Sequence, residues 1–388
     1  MKAAYVVGVG MHPFGKFLDK SLKELTKVAV WNAIHDAGID PKSIEAAYFG
    51  NAQAGLITGQ EAIRGQVMLR HAGFEGIPIV NVEGACASAA IAVREAMIAI
   101  RAGMYQVVLA VGAEKMYLDD TPKSIAAMST NADVELMGGL GFQFTASYAM
   151  SLRTYMQKYG WTQEQFAKVA SKNKYNGSLN PYAQYQKPMS VQEILDSRII
   201  AWPLTLYMCS TMADGAAAAI ICSEEFARKA RKDPIKIAAS ALRSGEVTGE
   251  DDGQKHVAHD AYEMAGLGPE AIEIAEVHDA MAPGEMFRIA KLGLCPPEDV
   301  GKRVEEEYFS LSGKLPVNTS GGLAARGHPI GATGLAQIAE LVWQMRGEAG
   351  PRQVKGRRSP HPRVALAQNS GGYVEGSPAA LTVTILTK

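Results

Sequence analysis

Short apolar runs alternate with stretches of helical spacing along most of the chain. Tyr5 to Val9, Ala46 to Gly50, Ile79 to Val82 and Gln106 to Val111 are compact runs of strand length, and Leu22 to Ala37, Ala62 to Ala72 and Ala87 to Ala102 carry apolar residues at helical spacing between them. The alternation predicts an α/β unit. Asp119 to Trp202 departs from it: YGWTQEQFAKVASKNKYN has the spacing of one helix, and the Tyr-, Asn-, Pro- and Gln-rich segments after it read as loops. Near Ile235 the alternation resumes. The expected organisation is a first half formed by residues 1–118 and 203–234, an inserted loop domain over 119–202, and a second half over 235–388.

The two halves look like copies. Ala37-Gly38-Ile39, Pro41, Ile44 and Glu45 recur as Ala265-Gly266-Leu267, Pro269, Ile272 and Glu273 at a constant offset, and Val107-Val108-Leu109-Ala110 is echoed later by Val364-Ala365-Leu366-Ala367. Self-similarity of this kind predicts a pseudo-symmetric fold.

Composition narrows the class. The chain has 388 residues, 47% of them hydrophobic, enough for a large core, and its 39 basic and 40 acidic side chains leave no global field for nucleic acid. The basic run PRQVKGRRSPHPR, Pro351 to Arg363, has no interleaved Phe, Tyr or Trp and reads as a solvated loop or a protein contact. Four cysteines, Cys86, Cys209, Cys222 and Cys295, show neither metal-ligand spacing nor the density of a disulfide framework, so no metal site is expected. No apolar run approaches membrane-spanning length, and Gly8, Gly10, His12 and Pro13 interrupt the start in a way unlike a signal peptide; a cytoplasmic, membrane-free protein is expected. A dinucleotide fold is rejected because Pro13 stands where Gly8-Val9-Gly10 would need its third glycine.

Within this frame GGLAARGHPIGATG, Gly321 to Gly334, carries the chemistry. Gly327 permits close backbone approach, Pro329 suits a first helical turn, and Leu335, Ile338 and Val342 have helical spacing, so His328 is expected at a helix N-terminus, where the dipole favours the neutral ring. Its partner nucleophile is Cys86 in IVNVEGACASAAIAVREAM, at an expected strand-to-helix turn whose N–H groups favour thiolate and can bind an oxyanion. A cysteine among alanines is by itself more often a small core residue. The duplication decides for chemistry, because it places Cys86 and His328 at corresponding points of the two halves.

Taken with MKAAYVVGVGMHPFG, VGAEKM (111–116), STMADGAAAAII (210–221), EVHDA (276–280) and QNSGG, these segments resemble, in order and over almost the whole chain, the thiolases, and among them the sterol-carrier-protein type. The resemblance implies an α/β thiolase fold in five αβαβα layers, two central sheets sandwiching buried helices, with the inserted loop domain helping to bind coenzyme A. It implies that Cys86 accepts the acyl group of a 3-oxoacyl-CoA, that His328 takes the thiol proton, and that His278 of EVHDA, where many thiolases have asparagine, donates to the enolate. The oxyanion hole is expected from the N–H groups of Cys86 and Gly371, with Asn369 beside them. Coenzyme A is a substrate rather than a bound cofactor, and Lys172, Lys174 and Arg198 are candidates for its phosphates. Tyr373, Tyr148, Met137 and Met281 could shape a large acyl pocket, but ordinary core and loop packing is the favoured reading.

The pattern departs from the family at two places. Asn369-Ser370-Gly371 lacks the second cysteine of most thiolases, and Ala280 stands where the sterol-carrier type has its replacement thiol. Thiolases of that kind work with a small companion protein bearing a zinc ribbon and an oligonucleotide/oligosaccharide-type barrel (DUF35), and include archaeal acetoacetyl-CoA thiolases and benzoylsuccinyl-CoA thiolase. The resemblance therefore implies an acyltransferase with a homodimeric core in a heteromeric complex, degrading an aromatic or dicarboxylic 3-oxoacyl-CoA. The alternatives are acetoacetyl-CoA thiolase in the condensation direction, a thiolase-fold retro-aldolase, which typically lacks the nucleophilic cysteine, and a non-catalytic lipid-transfer or scaffold subunit.

Overall fold

Nine strands form one continuous mixed sheet in the computed structural model, which describes residues 2–246 and 253–388. They are β1 (Ala4–Gly15), β2 (Ala46–Gly50), β3 (Ile79–Val82), β4 (Val107–Glu114), β5 (Asp214–Ser223), β6 (Ile235–Arg243), β7 (Ile274–Glu276), β8 (Val364–Gly371) and β9 (Ala380–Thr387). Their spatial order is β3-β2-β4-β5-β1-β6-β9-β8-β7. The two expected sheets are thus joined edge to edge through a short β1–β6 contact, Tyr5 to Lys236 and Val6 to Ile235.

Read outward from that seam, each half repeats the same pattern: two antiparallel pairings, then a parallel one. The parallel partner that β3 gives β2 is matched in the second half by an isolated bridge from Ala275 to Val317. The sequence repeat is geometric as well. Gly38 and Gly266 end corresponding helices at φ 64° and 65°, left-handed backbone that glycine adopts without a Cβ penalty.

The helices that frame the site are α1 (Leu22–Ala37), α2 (Ser88–Arg101), α3 (Phe144–Tyr159), α4 (Gln163–Ser178), α5 (Gln254–Ala265), α6 (Gly284–Lys291) and α7 (Thr333–Arg346). α2 and α7 form the central layer. Their alanines and branched residues share one core cluster with strands of both halves, and glycines let them approach: a Cβ on Gly334 would lie 2.6 Å from the backbone nitrogen of Ala90. α1 covers the outer face of the first half, while α4, α5 and α6 share the core cluster of the second.

The Tyr-, Asn-, Pro- and Gln-rich stretch after α4 is mostly loop, as expected, whereas the part of the inserted segment before it is largely helical. Gly160, at φ 70°, ends α3, and a capping box between Thr162 and Gln165 starts α4, so YGWTQEQFAKVASKNKYN contains a helix end and a new helix rather than one helix. The basic run is partly internal: Arg352 is buried against Glu340 at 2.9 Å, and Arg357 bonds the carbonyls of Glu270 and Ile272.

Candidate active site

Cys86 sits in the single 3-10 turn Ala85–Ala87 that leads into α2. Ala85 holds φ 48°, a left-handed conformation that costs a residue with a Cβ and that its surroundings must enforce. They do so through Ser88, whose hydroxyl donates to the Ala85 carbonyl at 2.7 Å and accepts from the Gly84 N–H at 3.0 Å. The backbone of Gly371 packs so closely that a Cβ there would lie 1.9 Å from the Gly84 carbonyl oxygen, which excludes every side chain from that position.

His328 lies five residues before α7 instead of at its first turn, because Pro329 caps a separate 3-10 turn, Ile330–Ala332, ahead of the helix. Its Nε2 is 3.2 Å from Cys86 Sγ, and its Nδ1 is 2.7 Å from Thr333 Oγ1. The hydroxyl proton of Thr333 goes to the Pro329 carbonyl at 3.1 Å, so Thr333 accepts from His328 Nδ1–H and the Nε2 lone pair is left facing the thiol.

Burial, more than the helix dipole, sets the charge state. It lowers the His328 pKa to about 3, with Arg326 adding to the effect, and raises the Cys86 thiol to about 12, with Glu114 adding to it. The free site therefore holds a neutral thiol and a neutral imidazole, not the thiolate expected from the turn. Two main-chain N–H groups oppose the rise: Cys86's own and that of Gly372, one residue beyond the expected Gly371. Gly371 supplies the close approach and Gly372 the donor.

His278 follows β7 and completes the cluster. Its ring meets that of His328 nearly at right angles with centroids 5.2 Å apart, and the ligand atoms of Cys86, His278 and His328 all lie within 4.8 Å of one another, close enough for a thiophilic metal ion to block the nucleophile. Burial, then the neighbouring His328, Arg288 and Arg326, push the His278 pKa well below its ordinary value, so this imidazole too is neutral. Asn369 does not join Cys86; its amide donates to Gln337 at 3.0 Å and its side chain lies against His278, opposing that fall. Ala280 presents a methyl group to the cavity.

Glu114, in VGAEKM at the end of β4, is an acid for which the sequence pattern suggests no role. It is buried and accepts from Asn51, Ala52 and Gly331 at 2.7, 3.0 and 3.1 Å, tying the first half to the turn that follows His328, and burial lifts its carboxyl to about 7.

A cavity of about 560 Å³ opens onto Cys86, His278 and His328. Tyr148, Met281 and Tyr373 are in its wall, contrary to the expectation of plain packing, whereas Met137 is not. Phe142, stacked on Tyr373 at 4.8 Å, and Phe144 extend the same wall from the inserted segment, where local spacing gave no signal for them. The expected coenzyme A lysines are elsewhere. Lys172 donates to Glu285 and Lys174 to the Ala324 carbonyl, each spent on internal packing, and Arg198 is exposed beside a two-stranded ribbon; none lines this cavity.

Residues 4–225 match the thiolase N-terminal domain, and residues 241–386 match the thiolase C-terminal domain-like family. The chain belongs to the thiolase family. As a thiolase it is 39% identical to the acetyl-CoA acetyltransferase of Methanothermobacter thermautotrophicus over 99% of both chains. It is 36% identical to the benzoylsuccinyl-CoA thiolase subunit BbsB of Thauera aromatica, over 96% of this chain and 95% of that one. Among solved structures it superposes on the Ltp2-ChsH2(DUF35) aldolase with a TM-score of 0.82 at 25% identity, covering 100% of this chain and 98% of the other. The thiolase is thus an acyltransferase, with coenzyme A as a substrate.

Proposed function

We propose that this thiolase cleaves a 3-oxoacyl-CoA with a bulky, aromatic acyl group, forming an acyl-enzyme on Cys86 and passing the acyl group to coenzyme A. The observation that carries the reading is the 3.2 Å approach of His328 Nε2 to Cys86 Sγ at the floor of the cavity. Substrate binding brings the C3 carbonyl to Sγ; the thiol proton moves to His328 as sulfur attacks, and the oxyanion is met by the N–H groups of Cys86 and Gly372. The C2–C3 bond then breaks, its electron pair leaving as the enolate of the released acyl-CoA, whose oxygen His278 stabilises as a neutral N–H donor. C2 takes the proton held by His328, which then accepts the proton of the incoming coenzyme A thiol as it attacks the thioester; the adduct collapses by breaking the Cys86 C–S bond, and the released Cys86 thiolate takes that proton back from His328. No second cysteine is needed for the proton count to close.

The aromatic wall of Phe142, Phe144, Tyr148 and Tyr373 and the size of the cavity favour an acyl group larger than acetoacetyl. The name of the Thauera aromatica relative agrees with an acyl group of that kind. That relative is a subunit, and the structural neighbour is named as a complex with a DUF35 protein; both support a companion protein for this thiolase. A homodimeric core is part of the same proposal, since β3 ends the sheet in the first half with Val80 46% exposed.

Incubation with benzoylsuccinyl-CoA or acetoacetyl-CoA followed by peptide mass analysis is expected to show an acyl group on the Cys86 peptide. Cys86→Ala should abolish thiolysis, and His328→Ala should slow acylation by roughly two to four powers of ten, the scale of a lost general base. Near-normal cleavage by Cys86→Ala would make a retro-aldolase, in the manner of the structural neighbour, the better reading.

A further inference from the structure

Arg288 lies on α6 and lines the Cys86 cavity, and it is only 6% exposed. Its contacts are all neutral. Nε points to the His278 carbonyl at 3.4 Å, Nη1 donates to the Gln254 side-chain oxygen, and Tyr148 lines the same cavity beside it. Arg326, Arg346 and Arg352, equally buried, each meet a carboxylate: Glu276, Asp36 and Glu340. Among the described residues Arg288 meets none. The described acids of the cavity wall and of its surroundings are otherwise placed: Glu246 faces Arg243 and His256, Glu375 is exposed on the turn after β8, Asp279 accepts from Leu323 N and Asn173, and Glu285, on α6 itself, accepts from Lys172 and Asn318.

Removing a guanidinium from water without a counter-ion is costly, and the cost is tolerated where a ligand brings the missing charge. The planar fork of arginine matches a carboxylate with two parallel hydrogen bonds. Position says which part of the substrate carries it. Arg288 reaches the His278 carbonyl at 3.4 Å and, with Tyr148, lines the same cavity as Cys86, His278 and His328, so the guanidinium stands in the wall beside the reacting groups. We propose that Arg288, backed by Tyr148, binds a carboxylate on the acyl part of the substrate, so that the natural substrate is a 3-oxoacyl-CoA with a second, free carboxyl group. This inference rests on the thiolase reading above and narrows its substrate class.

The test compares benzoylsuccinyl-CoA with its carboxamide isostere, which has the same acyl shape and the same coenzyme A phosphates. The wild-type enzyme, with its companion if the two co-purify, is expected to prefer the acid by about 30-fold or more in kcat/KM, as a site with a buried donor rejects an analogue that cannot satisfy it. Arg288→Met should collapse the preference to about threefold or less, and Arg288→Lys, which keeps the charge and loses the fork, should keep an intermediate preference. Circular dichroism and thermal melting identify a variant that has not folded; the wild-type comparison needs no variant. Equal wild-type rates for acid and amide would overturn the inference while a Cys86 acyl-enzyme from either compound leaves the thiolase reading standing. Equal losses for both compounds in a folded Arg288→Met, with a raised KM for coenzyme A, would overturn it too and assign Arg288 to a coenzyme A phosphate. Failure of every 3-oxoacyl-CoA to acylate Cys86 would remove both readings.

Discussion

At the scale of single residues the chemistry turns on two burial effects of opposite sign. A thiol near 12 beside an imidazole near 3 is a neutral pair at pH 7, and only a substrate carbonyl at Sγ makes the proton transfer worthwhile. The sign of the pH dependence follows. Thiolate is the minority form below the thiol pKa, so iodoacetamide labelling of Cys86 in the free enzyme should rise about tenfold per unit between pH 6 and 9, with no step near the ordinary histidine value. A plateau by pH 8 would show a preformed thiolate–imidazolium pair and a site wetter than described. His278 is expected to act in the other half of the reaction. Negative charge reaches the enolate oxygen only while the C2–C3 bond breaks or forms, so His278→Ala should impair cleavage and α-hydrogen exchange far more than transfer of a preformed acyl group from Cys86 to coenzyme A. Equal loss in both half-reactions would mark His278 as architectural.

At the scale of elements, the site depends on how closely two buried helices approach. α2 carries the Cys86 turn and α7 follows the His328 turn, and Gly334 is where they touch, against Ala90. Gly334→Ala gains about 1 kcal/mol of helix propensity yet forces a Cβ into backbone at 2.6 Å, and overpacking of that kind costs roughly 1–3 kcal/mol, so the net effect is destabilising. The expected result is a lower melting temperature together with slower Cys86 acylation, because the helices that set the 3.2 Å contact are pushed apart. Unchanged melting and activity would mean that the central layer adjusts more freely than its packing implies. Local sequence marked these helices through apolar spacing, and the αL glycines at 38 and 266 end α1 and α5 at corresponding points of the repeat. It left α3 unmarked and ran its last residues into α4, because the apolar face of α3 packs on the core of the second half.

At the scale of the whole molecule, duplication is what converts two ordinary helix starts into one reaction centre. Cys86 and His328 are 242 positions apart, and no local property of either segment brings them within hydrogen-bond distance. The pseudo-symmetric strand order does so, by turning the two central helices toward each other across the seam between β1 and β6. The same arrangement gathers a substrate wall from both halves and the inserted segment.

The sequence by itself determined the α/β class, the internal repeat, the thiol and the imidazole, and the lack of a second cysteine at Asn369 and Ala280, because these depend on residue identity, on periodicity and on motif order. Charge states, donors and cavity walls depended on neighbours remote in the chain. Burial overrode the thiolate that a turn N–H would favour, the main-chain N–H that opposes this effect at Cys86 is that of Gly372 and not Gly371, and ion pairing drew Lys172 inward to Glu285. Arg288 is the clearest case, since a buried arginine that meets no carboxylate among the described residues is recognisable only when everything packed around it is in place.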